Sequence, residues 1–233
     1  MPRGQIPHHR EIDMPSLPGT VRPATPGARG FDTPDVLTDQ ALREARSGGF
    51  TFCLRYLAFM DYDRPGDMDG AEAARILEAG LALMPIYPYA GDNWRPTGWG
   101  TTYGQRAVDS ARRIGFPAGV NIWVDVEAVN GATPASDVIT FVNEWSSVVA
   151  SAGFVPGIYV GANSGLDGNQ LYNSLTLEHY WKSGSLVPAI PTRGYQMIQT
   201  IPGTPRSIGG VSIDTNVTQT DGLGGNALWL SPT

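Results

Sequence analysis

The chain has 233 residues, enough for one large α/β domain or two small ones, and 41% hydrophobic residues supply a sizeable core. Only 16% of residues are charged, so the 29 Gly and 19 Pro among recurring aromatic and β-branched runs mark turns rather than disorder. A formal charge of -6 argues against binding a phosphate backbone, which needs a basic footprint, and leaves a neutral, hydroxyl-rich ligand open.

Residues 1–27 hold six Pro and no apolar periodicity, and read as a flexible Pro-rich arm preceding a single domain over 28–233. Removing residues 1–24 is therefore expected to leave the melting temperature little changed. The arm has no apolar stretch of signal-peptide type, so the chain is expected to be cytoplasmic as synthesised. His8 and His9 could ligate a metal, but the arm offers no third partner, and a solvated stretch is the simpler reading. No run of about 18 apolar residues occurs anywhere, so no membrane span is expected.

From Gly30 onward, short apolar runs alternate with helical patterns. A first strand closes at GFD (30–32). A helix over 37–49 follows, with Thr38 as N-cap and Gly48–Gly49 as its stop. FTFCLRY (50–56) is a strand whose Cys53, the only cysteine, reads as a buried thiol. A helix over 66–80 leads to the strand LALMPIYPY (81–89) and a Trp-bearing loop (90–100). Next come a helix over 102–115, the strand GVNIWVDVE (119–127) and the longest helix, 133–153, opened by Thr133 with Pro134 at its first position. PGIYVG (156–161) is a fifth strand, followed by a weaker helix near 167–175. EHYWKS (178–183), GYQMIQT (194–200) and GGVSIDTNV (209–217) complete eight strands. Strands buried on both faces and alternating with helices imply parallel βα units. Eight of them suggest a closed (β/α)8 TIM-like barrel, irregular in its last units, which lack convincing helices. A doubly wound open sheet is the alternative; a Rossmann version fails for want of G-x-G-x-x-G after the first strand.

In such a barrel, chemistry collects at the C-terminal ends of the strands. Four acids fall there: Asp32, Asp125, Glu127 and Asp214. Asp125 and Glu127 stand two apart on a strand and so share a face, where each disfavours the other's ionisation. Aromatics gather at the same level: Tyr56, Tyr87, Tyr89, Tyr159 and Trp181 near strand ends, and Trp94 and Trp99 in the loop after the third strand. Carboxylates ringed by aromatic faces describe a carbohydrate cleft. Plainer readings exist for single residues: Asp32 as a helix N-cap, Asp125 paired with Arg55, the aromatics as rim packing. Two acids together on an apolar strand are harder to explain without a use. A divalent cation would be one, though no His is near and the spacing is not that of a calcium loop.

The segments GFDTPD, GGFTFCLRYLAF, AARILEAGLALMPIY, GQRAVDSARRIGFPAGVNIWVDVEA, FVNEWSSVVASAGFVPGIYVG and GGVSIDTNV, in that order, resemble the glycoside hydrolase-like domain of the DUF1906 family. This is a TIM-barrel group of actinobacteria and their phages, related to the family 25 lysozymes (muramidases). The resemblance spans about residues 28–220. It implies a cofactor-free, metal-free glycosidase acting on cell-wall peptidoglycan or a related N-acetylated glycan, with Glu127 as general acid. Asp125 would orient the N-acetyl group or stabilise an oxocarbenium-like transition state, with Asp32 and Asp214 completing the acid set. Carboxylate separation would decide between retention and inversion. Arg55, Gln199 and the seven strand-end and loop aromatics are the expected substrate contacts. Access to the wall would depend on phage-type or other release, with phage-particle or wall-associated proteins as further partners. The other expectation on the same barrel is a non-catalytic glycan-binding or structural domain of a phage particle.

Overall fold

The computed structural model describes residues 16–200 and 206–233. Eight strands close a barrel: β2 (Arg29–Thr33), β3 (Phe52–Tyr56), β4 (Ala82–Tyr87), β5 (Asn121–Val126), β6 (Val155–Val160), β7 (His179–Lys182), β8 (Met197–Thr200) and β10 (Val211–Thr218). Helices α1 (Asp39–Ser47), α2 (Gly70–Glu78), α3 (Gly100–Ile114), α4 (Ala135–Ser151) and α5 (Gly168–Ser174) follow β2 to β6 in turn. Thr38 caps α1 by accepting from the Ala41 N–H, as its position before the periodic run predicts. Pro134 sits one place earlier than expected, at the N-cap of α4.

The barrel is irregular in its last units, and for a covalent reason. After β7 the chain carries Gly184, Pro188, Pro191 and Gly194, which do not sustain a helix. After β8, the strand β9 (Arg206–Ile208) turns at Gly209–Gly210, both at positive φ, into β10. That hairpin replaces a helical crossover, so β10 runs antiparallel to both β8 and β2. The expectation of eight parallel strands is corrected at this strand alone.

The two faces of each strand bury different layers. Inside the barrel lie Phe52, Leu54, Met84, Ile86, Trp123, Tyr159, Trp181 and Met197, while Phe31, Cys53, Leu83, Val124 and Tyr180 pack outward against the helices. Trp123 fits the interior because β6 presents Gly157 beside it; a Cβ there would come within 2.5 Å of the indole. Cys53 is the buried thiol expected.

The floor was not expected from the sequence. A strand β1 (Thr20–Pro23) pairs antiparallel with β11 (Leu228–Ser231), which pairs in turn with β4. Ala24, Ala227 and Trp229 join the interior layer, with the Trp229 ring 5.4 Å from that of Phe52. The flexible arm is therefore corrected from residue 17 onward: Leu17 is buried and donates its N–H to the Gly115 carbonyl at 2.9 Å. His8 and His9 lie outside the described residues. Deleting residues 1–24 removes β1, the Leu17 contact and half of the ribbon under Trp229. Burying one leucine is worth about 1.5–3 kcal/mol, so the melting temperature should fall by on the order of 10 °C in a thermal melt. An unchanged midpoint would show that the ribbon is dispensable.

Candidate active site

Inward positions on the strands converge at the open end of the barrel. On β5 the alternation that sends Ile122, Val124 and Val126 outward leaves Asn121, Trp123 and Asp125 inside, with Glu127 next in line at the mouth. Asp32 on β2 and Asp214 on β10 are register partners. The antiparallel course of β10 thus still delivers its acid to the same end. Asp125 is 2% exposed and Asp32 4%, whereas Glu127 is half-buried and Asp214 stands exposed at the rim.

Asp32 is held from below. Its Oδ1 accepts from Asn216 Nδ2 at 2.7 Å and from Gln199 Nε2 at 3.0 Å. The amide oxygens face donors of their own: Trp181 Nε1 to Asn216 Oδ1 at 2.9 Å, and the Tyr159 hydroxyl to Gln199 Oε1 at 2.8 Å. Both amides are thereby locked with their N–H groups on Asp32. Tyr56 completes the wall, its hydroxyl in the field of Asp125, Asp32, Tyr159 and Glu127. Tyr89 stands at the rim near Asp92, Glu127 and Asp125.

All four carboxyls are raised. Burial pushes Asp32 up to about 7, against the lowering effect of its two amide donors and with a further push from Asp214. Asp125 is driven well above the usual range by burial first, then by Glu127 and Asp32. Burial followed by Asp92 and Asp214 raises Glu127, and partial desolvation raises Asp214. Asp125 Oδ1 is buried with no hydrogen-bond partner. Such a group is costly in a resting fold and calls for a proton or an incoming donor. Among the described residues, no three acid, histidine or cysteine side chains are grouped to hold a metal ion.

The raised Asp32 pKa fixes the sign of a stability effect. Between the ordinary value of 3.8 and about 7, the folded chain holds a proton that the unfolded chain has lost. Stability from this group is therefore complete below 3.8 and drains away as pH climbs through 7. Asp125, raised in the same direction, adds to the effect. Asp125→Asn should accordingly melt higher than wild type at pH 8, and the gap should close by pH 4. A gap independent of pH would mean that packing, not charge, governs the position.

Glu127 is clamped by its backbone. The Trp94 indole donates to the Glu127 carbonyl at 2.7 Å, and Trp94 bridges in strand fashion to Val129. Ala128 then turns at φ 52°, a conformation few non-glycine residues adopt. Across the sheet, Gly161 leaves room for the side chain: a Cβ there would collide with the Glu127 Cβ and come 2.7 Å from its carboxylate.

The structure brings together Asp32, Asp125, Glu127, Asp214, Tyr56, Tyr89, Tyr159, Trp181 and Gln199. It does not bring the other four expected contacts. Arg55 points outward, fully buried, with a forked pair to Glu72 (2.8 and 2.9 Å) and a bond to the Thr33 carbonyl. It therefore pairs with neither ligand nor Asp125. Tyr87 also faces outward, donating to the Phe59 carbonyl at 2.8 Å. Trp94 is 8% exposed, edge-on to Phe141, its N–H already spent on Glu127. Trp99 stacks on Tyr103 at the start of α3, 46% exposed, and reaches Trp94 only through the Tyr103 and Phe141 rings. Asp32 is no N-cap either, since Thr38 fills that place. Asn216 was missed, although it lies two residues from Asp214 and so shares its face; Asp92 and Gly161 gave no signal. Trp94→Phe keeps the ring and drops the donor. It should lower the melting temperature by roughly 2–4 °C, as for one lost hydrogen bond. An unchanged midpoint would show that the bond does not clamp the Glu127 backbone.

Comparison with known proteins identifies the family and the fold. The family described as Rv2525c-like, glycoside hydrolase-like domain matches residues 41–218. The Tat-secreted protein Rv2525c of Mycobacterium tuberculosis superposes with a TM-score of 0.61 at 16% identity, covering 84% of this chain and 96% of that one. A lysozyme from Streptomyces coelicolor superposes with a TM-score of 0.58 at 14% identity, covering 84% and 93%. The uncharacterized protein YbfG of Bacillus subtilis is 29% identical over 131 residues, which are 52% of this chain. The match spans only 18% of YbfG's length. The family match shows a glycoside hydrolase-like domain, and the superpositions show that its barrel fold is shared with that lysozyme. No helix among the described residues is long and apolar enough to cross a membrane.

Proposed function

The chain belongs to the Rv2525c-like glycoside hydrolase-like domain family, and on that premise we propose that its acid-lined mouth hydrolyses glycosidic bonds of an N-acetylated glycan of the cell-wall type. The observation that carries the reading is Asp125, a buried carboxyl with an unpartnered oxygen, side by side with a raised Glu127. Such a pair titrates as one unit and holds a proton above the usual carboxylate range. When an acetamido N–H donates to Asp125, the charged form is favoured there and the proton falls to Glu127. Glu127, half open to solvent at the mouth, then protonates the glycosidic oxygen as general acid. The negative charge so left on Asp125 stabilises the oxocarbenium-like transition state, and water adds at the anomeric carbon as the protonated leaving group departs.

The test is a turbidity and muropeptide-release assay on purified bacterial cell walls. Clearing of the suspension with release of soluble muropeptides is expected. Binding to walls without release would instead assign the barrel to glycan recognition.

A further inference from the structure

The two amides that hold Asp32 are themselves aimed by aromatic side chains. Trp181 is fully buried, its ring 4.4 Å from that of Tyr159 and 6.1 Å from that of Trp123, with the ring planes crossed at 61° and 73°. Packed edge-on between those rings, the indole keeps its N–H on Asn216 Oδ1. Tyr159, also buried, directs its hydroxyl at Gln199 Oε1, which lies 3.4 Å from the Gly184 N–H as well. An amide whose oxygen is engaged has only its NH2 to offer. Asn216 and Gln199 both offer it to one atom, Asp32 Oδ1, and no other described side chain donates to Asp32. The titratable groups around Asp32 are Asp214 on β10, Asp125 on β5, Tyr56 on β3 and Tyr159 on β6, and none of them carries positive charge.

We propose that Trp181 and Tyr159 are positioning residues rather than sugar contacts, and that through Asn216 and Gln199 they fill Asp32 Oδ1 and leave Oδ2 to meet the ligand. The proposal rests on the glycosidase reading and says how that site holds Asp32. An oxygen with two donors has both lone pairs engaged, so a proton on Asp32 sits on Oδ2. Neutral Asp32 then presents an O–H donor in a fixed direction, and ionised Asp32 presents an acceptor in the same place. With no cation beside it, the two amides are what favours the ionised form. Freed from Trp181, Asn216 is able to turn its oxygen toward a protonated Asp32, which stabilises the neutral acid alone.

The experiment is an NMR titration of the full chain labelled with carbon-13 at aspartate carboxyls, in wild type, Trp181→Phe and Tyr159→Phe. The Asp32 signal is assigned by its loss in Asp32→Asn, and in wild type it should titrate at about 7. Its midpoint should rise by about one pH unit in Trp181→Phe, as for one weakened hydrogen bond to a charged group. The rise should be smaller in Tyr159→Phe, which loses only a hydroxyl and leaves the Gly184 N–H near Gln199. A role in packing alone would lower the melting temperature and leave the titration in place. A midpoint that stays or falls in either folded variant overturns the proposal. The titration needs no turnover, so it is scored apart from the cell-wall assay. Turnover with an unmoved midpoint overturns the positioning role alone, and a raised midpoint without turnover overturns the hydrolase reading and keeps the lock in a glycan-binding barrel.

Discussion

Replacing Glu127 by Gln should lower turnover at least about a hundredfold, as for loss of a general acid. The substitution keeps the side-chain shape beside Gly161 and leaves the Trp94 bond intact, because that bond goes to the backbone carbonyl. Oligosaccharide affinity should therefore survive while kcat collapses. Asp125→Asn should also lower activity. It should shift the pH profile as well, since Glu127 raises Asp125 and the two carboxyls titrate together. Steady-state kinetics across pH 4–8 on a defined oligosaccharide would check both. A Glu127→Gln enzyme within a few-fold of wild type would remove Glu127 from the chemistry.

Arg55→Leu should cost about 3–5 kcal/mol of folding stability, as for breaking a buried ion pair from one side. Arg55 is fully buried and Glu72 is 3% exposed, and Glu72 Oε1 also accepts from the Leu37 N–H at 2.8 Å. Taking away the guanidinium strands a carboxylate between α2 and the barrel wall. It also orphans the Thr33 carbonyl at the end of β2, one residue from Asp32. Removing both partners, as Arg55→Leu with Glu72→Gln, should recover part of the loss. Urea denaturation measures the difference. A cost under about 1 kcal/mol would mean that water reaches the pair.

The acids were legible because a strand has period two and one polar pair stood out on an apolar run. The same rule, carried along β10 from Asp214 to Asn216, would have found the amide that holds Asp32. Arg55 was misplaced against that rule: with Tyr56 inward, its neighbour must face out. Tyr87 had no such guide, because every residue of β4 is buried and the strand shows no polar alternation to mark its faces. The direction of β10 is not written in the strand itself but in the short hairpin before it. The floor escaped notice because β1 and β11 are four residues each and lie at opposite ends of the chain. Trp94 looked like a ligand surface for want of any local sign that its indole turns back onto β5.

Hydrolysis in water enriched in oxygen-18 tests the central claim most directly. Wild type acting on cell-wall glycan or chitotetraose should yield reducing ends carrying one labelled oxygen each by mass spectrometry, and Glu127→Gln should yield almost none. The absence of new reducing ends from any glycan tested, or chain ends closed as anhydro sugars without label, would contradict a water-dependent glycosidase at these carboxylates.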